Sequence, residues 1–152
     1  HHMSDAEAWE SAGMSNGLAL TLETRPEELE RLTAAVETLA EQDNWPAALT
    51  FRVNLVLEEL VLNVINYAYD EDGHHLDVEL TCNEEDLVIE ITDEGRPFDP
   101  LHDAPEPDME SPMEERRIGG LGVYLVRTMT SDMQYRREDG KNRMTVAMSR
   151  DG

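Results

Sequence analysis

The chain is nearly without cysteine and nearly without lysine. Cys82 stands alone among 152 residues. That excludes an intramolecular disulfide and a zinc site of clustered thiolates, and leaves Cys82 as a small apolar residue of a strand in a reducing compartment. Lys141 is the one lysine, and 12 Lys and Arg stand against 34 Asp and Glu, a formal charge of −22. Neutralising phosphates takes clustered cations, so the charge argues against nucleic-acid binding through a basic surface. No apolar run is long enough to cross a bilayer and no signal-peptide pattern is present, so the expectation is a soluble, cytoplasmic protein without membrane attachment. The acid excess suits solubility, basic partners or a salt-rich cytoplasm. It also means that a phosphate ligand needs its own local donors or a metal ion.

What the chain does have is a strong period. Val53, Val56, Leu57, Leu60, Val64, Ile65 and Ala68 recur at the spacing of one apolar helix face over Val53–Tyr69. At about 100° per residue, Glu59, Asn63, Asn66 and Asp70 then fall in a narrow polar stripe, either a solvated face or a site. His1, His2 and Met3 read as a tag remnant before a flexible arm to residue 16, and 17–152 as one domain. Leu18, Leu20 and Leu22 alternate as a strand; Pro26 opens a helix running to Gln42; Leu76–Cys82 and Leu87–Asp93 read as a hairpin; Met133–Glu138 and Arg143–Ser149 read as another around Asp139-Gly140. Few helices and evident hairpins predict an α+β fold, a two-layer sandwich with a mostly antiparallel mixed sheet and helices on one face.

Between the hairpins, Glu94–Ile118 carries five prolines and no periodicity, and is expected to be a lid. Gly119-Gly120-Leu121-Gly122 follows and feeds a helix. Such a turn exposes backbone N–H groups to phosphate, or is a plain loop-to-helix turn.

Three motifs together resemble a known family. Glu59-Leu60-Val61-Leu62-Asn63, then Asp93-Glu94-Gly95-Arg96-Pro97-Phe98-Asp99-Pro100, then Gly119-Gly120-Leu121-Gly122 resemble, in order and spacing, the N box and two glycine boxes of the GHKL ATP-binding superfamily. Within it the chain is most similar to the anti-sigma-factor serine/threonine kinases of bacterial partner-switching systems. The resemblance implies ATP and Mg²⁺ as cofactors. It implies a serine-containing anti-sigma-factor antagonist as substrate, a sigma factor or comparable regulator as partner, and a homodimer.

The residue chemistry agrees with these roles. An amide oxygen at Asn63 suits Mg²⁺, and a carboxylate one turn earlier at Glu59 suits the base that takes a proton from an attacking hydroxyl. Glu58 points elsewhere on the helix. Asp93 can accept a hydrogen bond from the adenine amine, or bind N–H groups of its own loop. Gly95 allows close backbone approach and Pro97 stiffens the loop. Gly119, Gly120, Leu121 and Gly122 offer amides to the phosphates. Arg117, with Arg116 beside it, is the candidate cation for the terminal phosphate, although the family's lid arginine lies nearer the position of Ile118; pairing with Glu114 and Glu115 is the alternative. The competing function is a nucleotide-gated binding module with little or no kinase activity. A sensor histidine kinase is disfavoured, because an imidazole nucleophile needs no base and those kinases usually carry Asn where Glu59 stands.

Overall fold

The computed structural model describes residues 17–103 and 120–151. Strands β1 (Gly17–Glu23), β2 (His75–Cys82), β3 (Asp86–Asp93), β4 (Asp132–Glu138) and β5 (Lys141–Ser149) form one sheet in the order β1-β2-β3-β5-β4. Every neighbouring pair is antiparallel. A mixed sheet is expected when a helical crossover returns a strand parallel to its predecessor. Here that strand, β4, lies at the edge, and the hairpin from it places antiparallel β5 beside β3. The hairpin turns at Asp139 (φ 52°) and Gly140 (φ 74°), both left-handed as an Asp-Gly turn between twisted strands requires.

Alternation puts Leu87, Ile89, Ile91 and Asp93 of β3, and Asn142, Met144, Val146 and Met148 of β5, on the buried face. A 3₁₀ turn at Pro26–Glu28 leads into α1 (Leu29–Gln42), followed by α2 (Ala47–Asn63) and, later, α3 (Gly120–Met129). Leu32 and Val36 of α1, Val53, Leu57 and Leu60 of α2, and Val126 of α3 join the inward strand residues in one core, giving the expected two-layer α+β architecture. Cys82 is buried in β2, and burial pushes its thiol up to about 12, so it stays protonated and inert. Among the described residues no helix is long and apolar enough to cross a membrane.

A regular period carries the central helix to Tyr69. The chain instead leaves α2 at Asn63 through a π turn, Val64–Ala68. The wider turn breaks the polar stripe. Asn63 is buried, at 1 % exposure, whereas Asn66 is exposed and Asp70 pairs with Arg96 of the loop after β3. That loop rests on the π turn: Arg96 N–H donates to the Ala68 carbonyl at 2.9 Å, and Phe98 stacks on Tyr67 at 5.1 Å between ring centroids. The described part of the expected lid, Glu94–Asp103, ends in a hydrogen-bonded turn. There Asp99 accepts from Leu101 N–H at 2.9 Å, and Arg127 of α3 donates to the Leu101 carbonyl. The rest of the lid with Arg116, Arg117 and Gly119, and the N-terminal arm, lie outside the described residues.

Gly95 sits where the loop meets the π turn, and a Cβ there would lie 2.4 Å from the Ala68 carbonyl oxygen. Gly95→Ala is therefore expected to destabilise the fold by about 1–3 kcal/mol, the usual cost of overpacking. Urea unfolding checks it: the midpoint should fall at constant slope, and an unmoved midpoint would mean that the loop does not seat on Ala68.

Candidate functional site

Helix α2 ends on two buried oxygens without partners among the described residues. The Asn63 amide nitrogen donates to the Glu59 carbonyl at 2.9 Å. Since a carbonyl only accepts, this contact fixes the amide's orientation and leaves Oδ1 buried and unpartnered. Glu59 Oε2 is buried and unpartnered as well. Burial, and secondly the neighbouring Glu58 carboxylate, raise the Glu59 carboxyl above its ordinary value. An unsatisfied buried acceptor costs about 1–3 kcal/mol. The two lie one helical turn apart: the neutral amide oxygen of Asn63 suits Mg²⁺, which takes one or two protein oxygens beside waters and phosphates, and the Glu59 carboxylate oxygen suits a proton acceptor.

The second half of the site is built on β3 and β5. Asp93 and Asn142 are opposed in the strand register and each is 4 % exposed. Asp93 Oδ1 accepts from Gly95 N–H and from Asn142 Nδ2, both at 2.9 Å. Asn142 also donates to the Arg96 carbonyl at 2.8 Å, and its Oδ1 accepts from Phe98 N–H at 3.2 Å and the Tyr135 hydroxyl at 2.5 Å. Arg137 of β4 donates to the Gly95 carbonyl at 2.8 Å. Burial raises the Asp93 carboxyl, and Asn142, Gly95 N–H and Arg137 in that order draw it back.

Asp93 therefore does bind its own loop, and with Oδ1 twice engaged, Oδ2 is the acceptor that remains. The residue lines a small pocket walled by Leu60, Val64, Ile91, Phe98 and Met144. An apolar slot with one carboxylate suits a flat heteroaromatic ring bearing an exocyclic amine. Its cavity volume is about 10 Å³, room for about one water, so a ring enters only as the Phe98 wall yields.

Gly120, Leu121 and Gly122 form the first turn of α3, which packs beside α2. Their backbone N–H groups belong to a helix N-terminus, where four donors lack intrahelical partners. Pro97 is exposed between Arg96 and Phe98. Gly95 meets the π turn, which gives its lack of a side chain a packing reason. Arg117 and Gly119 lie outside the described residues. Asn142, Tyr135 and Arg137 escaped the sequence reading. For Asn142 a signal existed: it shares strand parity with the apolar Met144, Val146 and Met148, so an amide there must be buried.

Residues 22–150 match the family described as Histidine kinase-like ATPase domain. The chain is 29 % identical over 113 residues to Serine/threonine-protein kinase BtrW of Bordetella bronchiseptica, covering 73 % of this chain and 78 % of that one. It is 31 % identical over 101 residues to Serine-protein kinase RsbW of Bacillus cereus, covering 64 % of this chain and 61 % of that one. The matched region thus spans about three fifths of the Bacillus kinase. A crystal structure of the RsbU and RsbW domains of a Mycobacterium tuberculosis protein superposes with a TM-score of 0.59 at 13 % identity, over 89 % of this chain and 33 % of that one, which speaks to the fold alone. The family match runs from the end of β1 through β5 and takes in all three motifs, so the chain belongs to the histidine kinase-like ATPase domain family.

Proposed function

We propose that the chain is an ATP- and Mg²⁺-dependent protein serine/threonine kinase that regulates a sigma factor within a partner-switching system. The observation that carries this reading is the pair of buried, unpartnered oxygens on Glu59 and Asn63, one basic and one neutral, a turn apart on α2. The names of the similar BtrW and RsbW kinases support the same class of reaction.

In this reading the adenine amine donates to Asp93 Oδ2, and the phosphates lie towards the first turn of α3, against backbone N–H groups of Gly119, Gly120, Leu121 and Gly122. Pro97 holds the loop and Arg117 meets the terminal phosphate. Asn63 Oδ1 would hold Mg²⁺, which would supply charge neutralisation at the phosphates. The substrate serine oxygen attacks the γ-phosphorus, and the new O–P bond replaces the bond to the β,γ-bridging oxygen, so ADP leaves. The serine proton passes to the Glu59 carboxylate, whose burial makes it a stronger base than an exposed glutamate. The substrate is a serine-containing antagonist protein, and the partners are a sigma factor and a second copy of the chain, in the cytoplasm.

Glu59→Gln keeps shape and removes basicity. It is expected to slow single-turnover phosphate transfer to the antagonist by about 10²- to 10⁴-fold while ATP affinity stays near that of the parent. A parent protein that transfers no phosphate would sink the kinase reading and leave a nucleotide-gated binding module.

The same substitution has a sign in stability. A carboxyl whose pKa is raised by folding penalises the fold when ionised. The penalty is complete above the folded pKa and absent below the unfolded value of 4.5. Ligand-free Glu59→Gln should therefore melt above the parent at neutral pH, with the gap closing on acidification through that window. A gap independent of pH would mean that Glu59 is not held in a desolvated site.

Asn63→Leu removes the unpartnered acceptor at similar volume. Ligand-free thermal stability is expected to hold or rise, while calorimetry should find Mg²⁺-dependent ATP binding lost. Retained binding with a lowered melting temperature would assign Asn63 to the core alone.

A further inference from the structure

We infer that Asn142 is a specificity-determining residue. Its amide holds Asp93 so that Oδ2 is the oxygen left to meet the base as an ionised acceptor, which selects a purine with an exocyclic amine over one with a carbonyl in that place. The inference rests on the reading of Asp93 as the base contact.

The geometry gives Asn142 no freedom. Its two N–H hydrogens go to Asp93 Oδ1 at 2.9 Å and the Arg96 carbonyl at 2.8 Å, and its oxygen takes Phe98 N–H at 3.2 Å and the Tyr135 hydroxyl at 2.5 Å. A flipped amide would set its oxygen against two oxygens that only accept and its nitrogen against the Phe98 N–H, which only donates. Asn142 therefore always presents a donor to Asp93. Gly95 N–H presents the second donor to the same oxygen. With both Oδ1 lone pairs engaged, a proton on Asp93 must reside on Oδ2. Ionised, Oδ2 accepts from an amine; protonated, it donates to a carbonyl and repels the amine.

The choice of purine is thus the choice of protonation state, and Asn142 is placed to make it. Burial favours the protonated form, and the Asn142 donor is the foremost influence against it. The other groups facing Asp93 are Arg137 and Tyr135 from β4 and Tyr69 beyond the π turn. Arg137 favours ionisation, and the Tyr69 hydroxyl oxygen accepts from Glu94 N–H at 2.9 Å.

The experiment measures calorimetric affinities of the full chain for ATP and for inosine triphosphate, which carries a carbonyl in place of the amine, across the pH range in which carboxyls titrate. The parent is expected to prefer ATP, with the preference collapsing as acid protonates Asp93. Asn142→Leu should move the midpoint of that collapse to higher pH and cut the ATP preference at neutral pH by about tenfold or more, the size of a lost hydrogen bond to a charged group. Tyr135→Phe removes one hydrogen bond to Asn142 with little change in packing, and should shift the midpoint the same way by less; it decides the matter if Asn142→Leu does not fold. Equal weakening of both nucleotides with an unmoved midpoint would overturn the proposal and leave Asn142 as a loop anchor. A parent whose preference does not vary with pH would overturn it too. Asp93→Asn separates this from the underlying reading: if that variant keeps the full ATP preference, Asp93 is not the base contact at all.

Discussion

Where β3 and β5 run out beneath α2, a buried carboxylate meets a buried amide, and the loop after β3 is folded around that pair. Asp93 and Asn142 face each other in the strand register, and between them they bind Gly95, Arg96 and Phe98. Each would be costly to bury alone, since unpaired polar groups in a core lose their hydration without return. Together they satisfy each other and turn the cost into a constraint on loop position. The loop then lies on the π turn, Gly95 against Ala68, and Phe98 closes the apolar pocket beside Asp93.

Across that pocket the energetics run the other way. Asn63 Oδ1 and Glu59 Oε2 are buried without partners, on a helix whose other inward residues are aliphatic. Isolated folding would favour leucine at such positions, so in the proposed reading these acceptors are stability set aside for a ligand. The charge of −22 gives the same lesson on a larger scale. An acidic protein cannot attract a polyphosphate by its general field, so in the proposed reading recognition falls to local donors, the backbone amides at the start of α3, and to a cation held by Asn63 Oδ1.

Much of this was legible in the residues. Alternation over β2 and β3, the Asp-Gly hairpin and the apolar face of α2 each depend on local periodicity, and each formed where the pattern placed it. Three ordered motifs marked Glu59, Asn63, Asp93 and the glycine-rich turn. The break in helical period was not legible, because Val64–Ala68 reads as ordinary apolar helix and its π geometry follows from packing against a loop distant in sequence. The helical period put Asn63 on a stripe that was either a solvated face or a site, and it proved buried. Strand parity marks Asn142 as buried, but its partners come from two strands and a loop, a tertiary arrangement that spacing along one strand does not encode.

The central claim is that one nucleotide spans the two halves, its base at Asp93 and its metal-bound phosphates at Asn63. A crystal structure of the chain with a non-hydrolysable ATP analogue and Mn²⁺ in place of Mg²⁺ tests it most directly, because the anomalous signal locates the metal independently of the nucleotide. The account predicts Mn²⁺ bonded to Asn63 Oδ1, the adenine amine within hydrogen-bond distance of Asp93 Oδ2, and Phe98 displaced from its stack on Tyr67. A nucleotide bound with its metal away from Asn63, or with its base outside the Asp93 pocket, would contradict it.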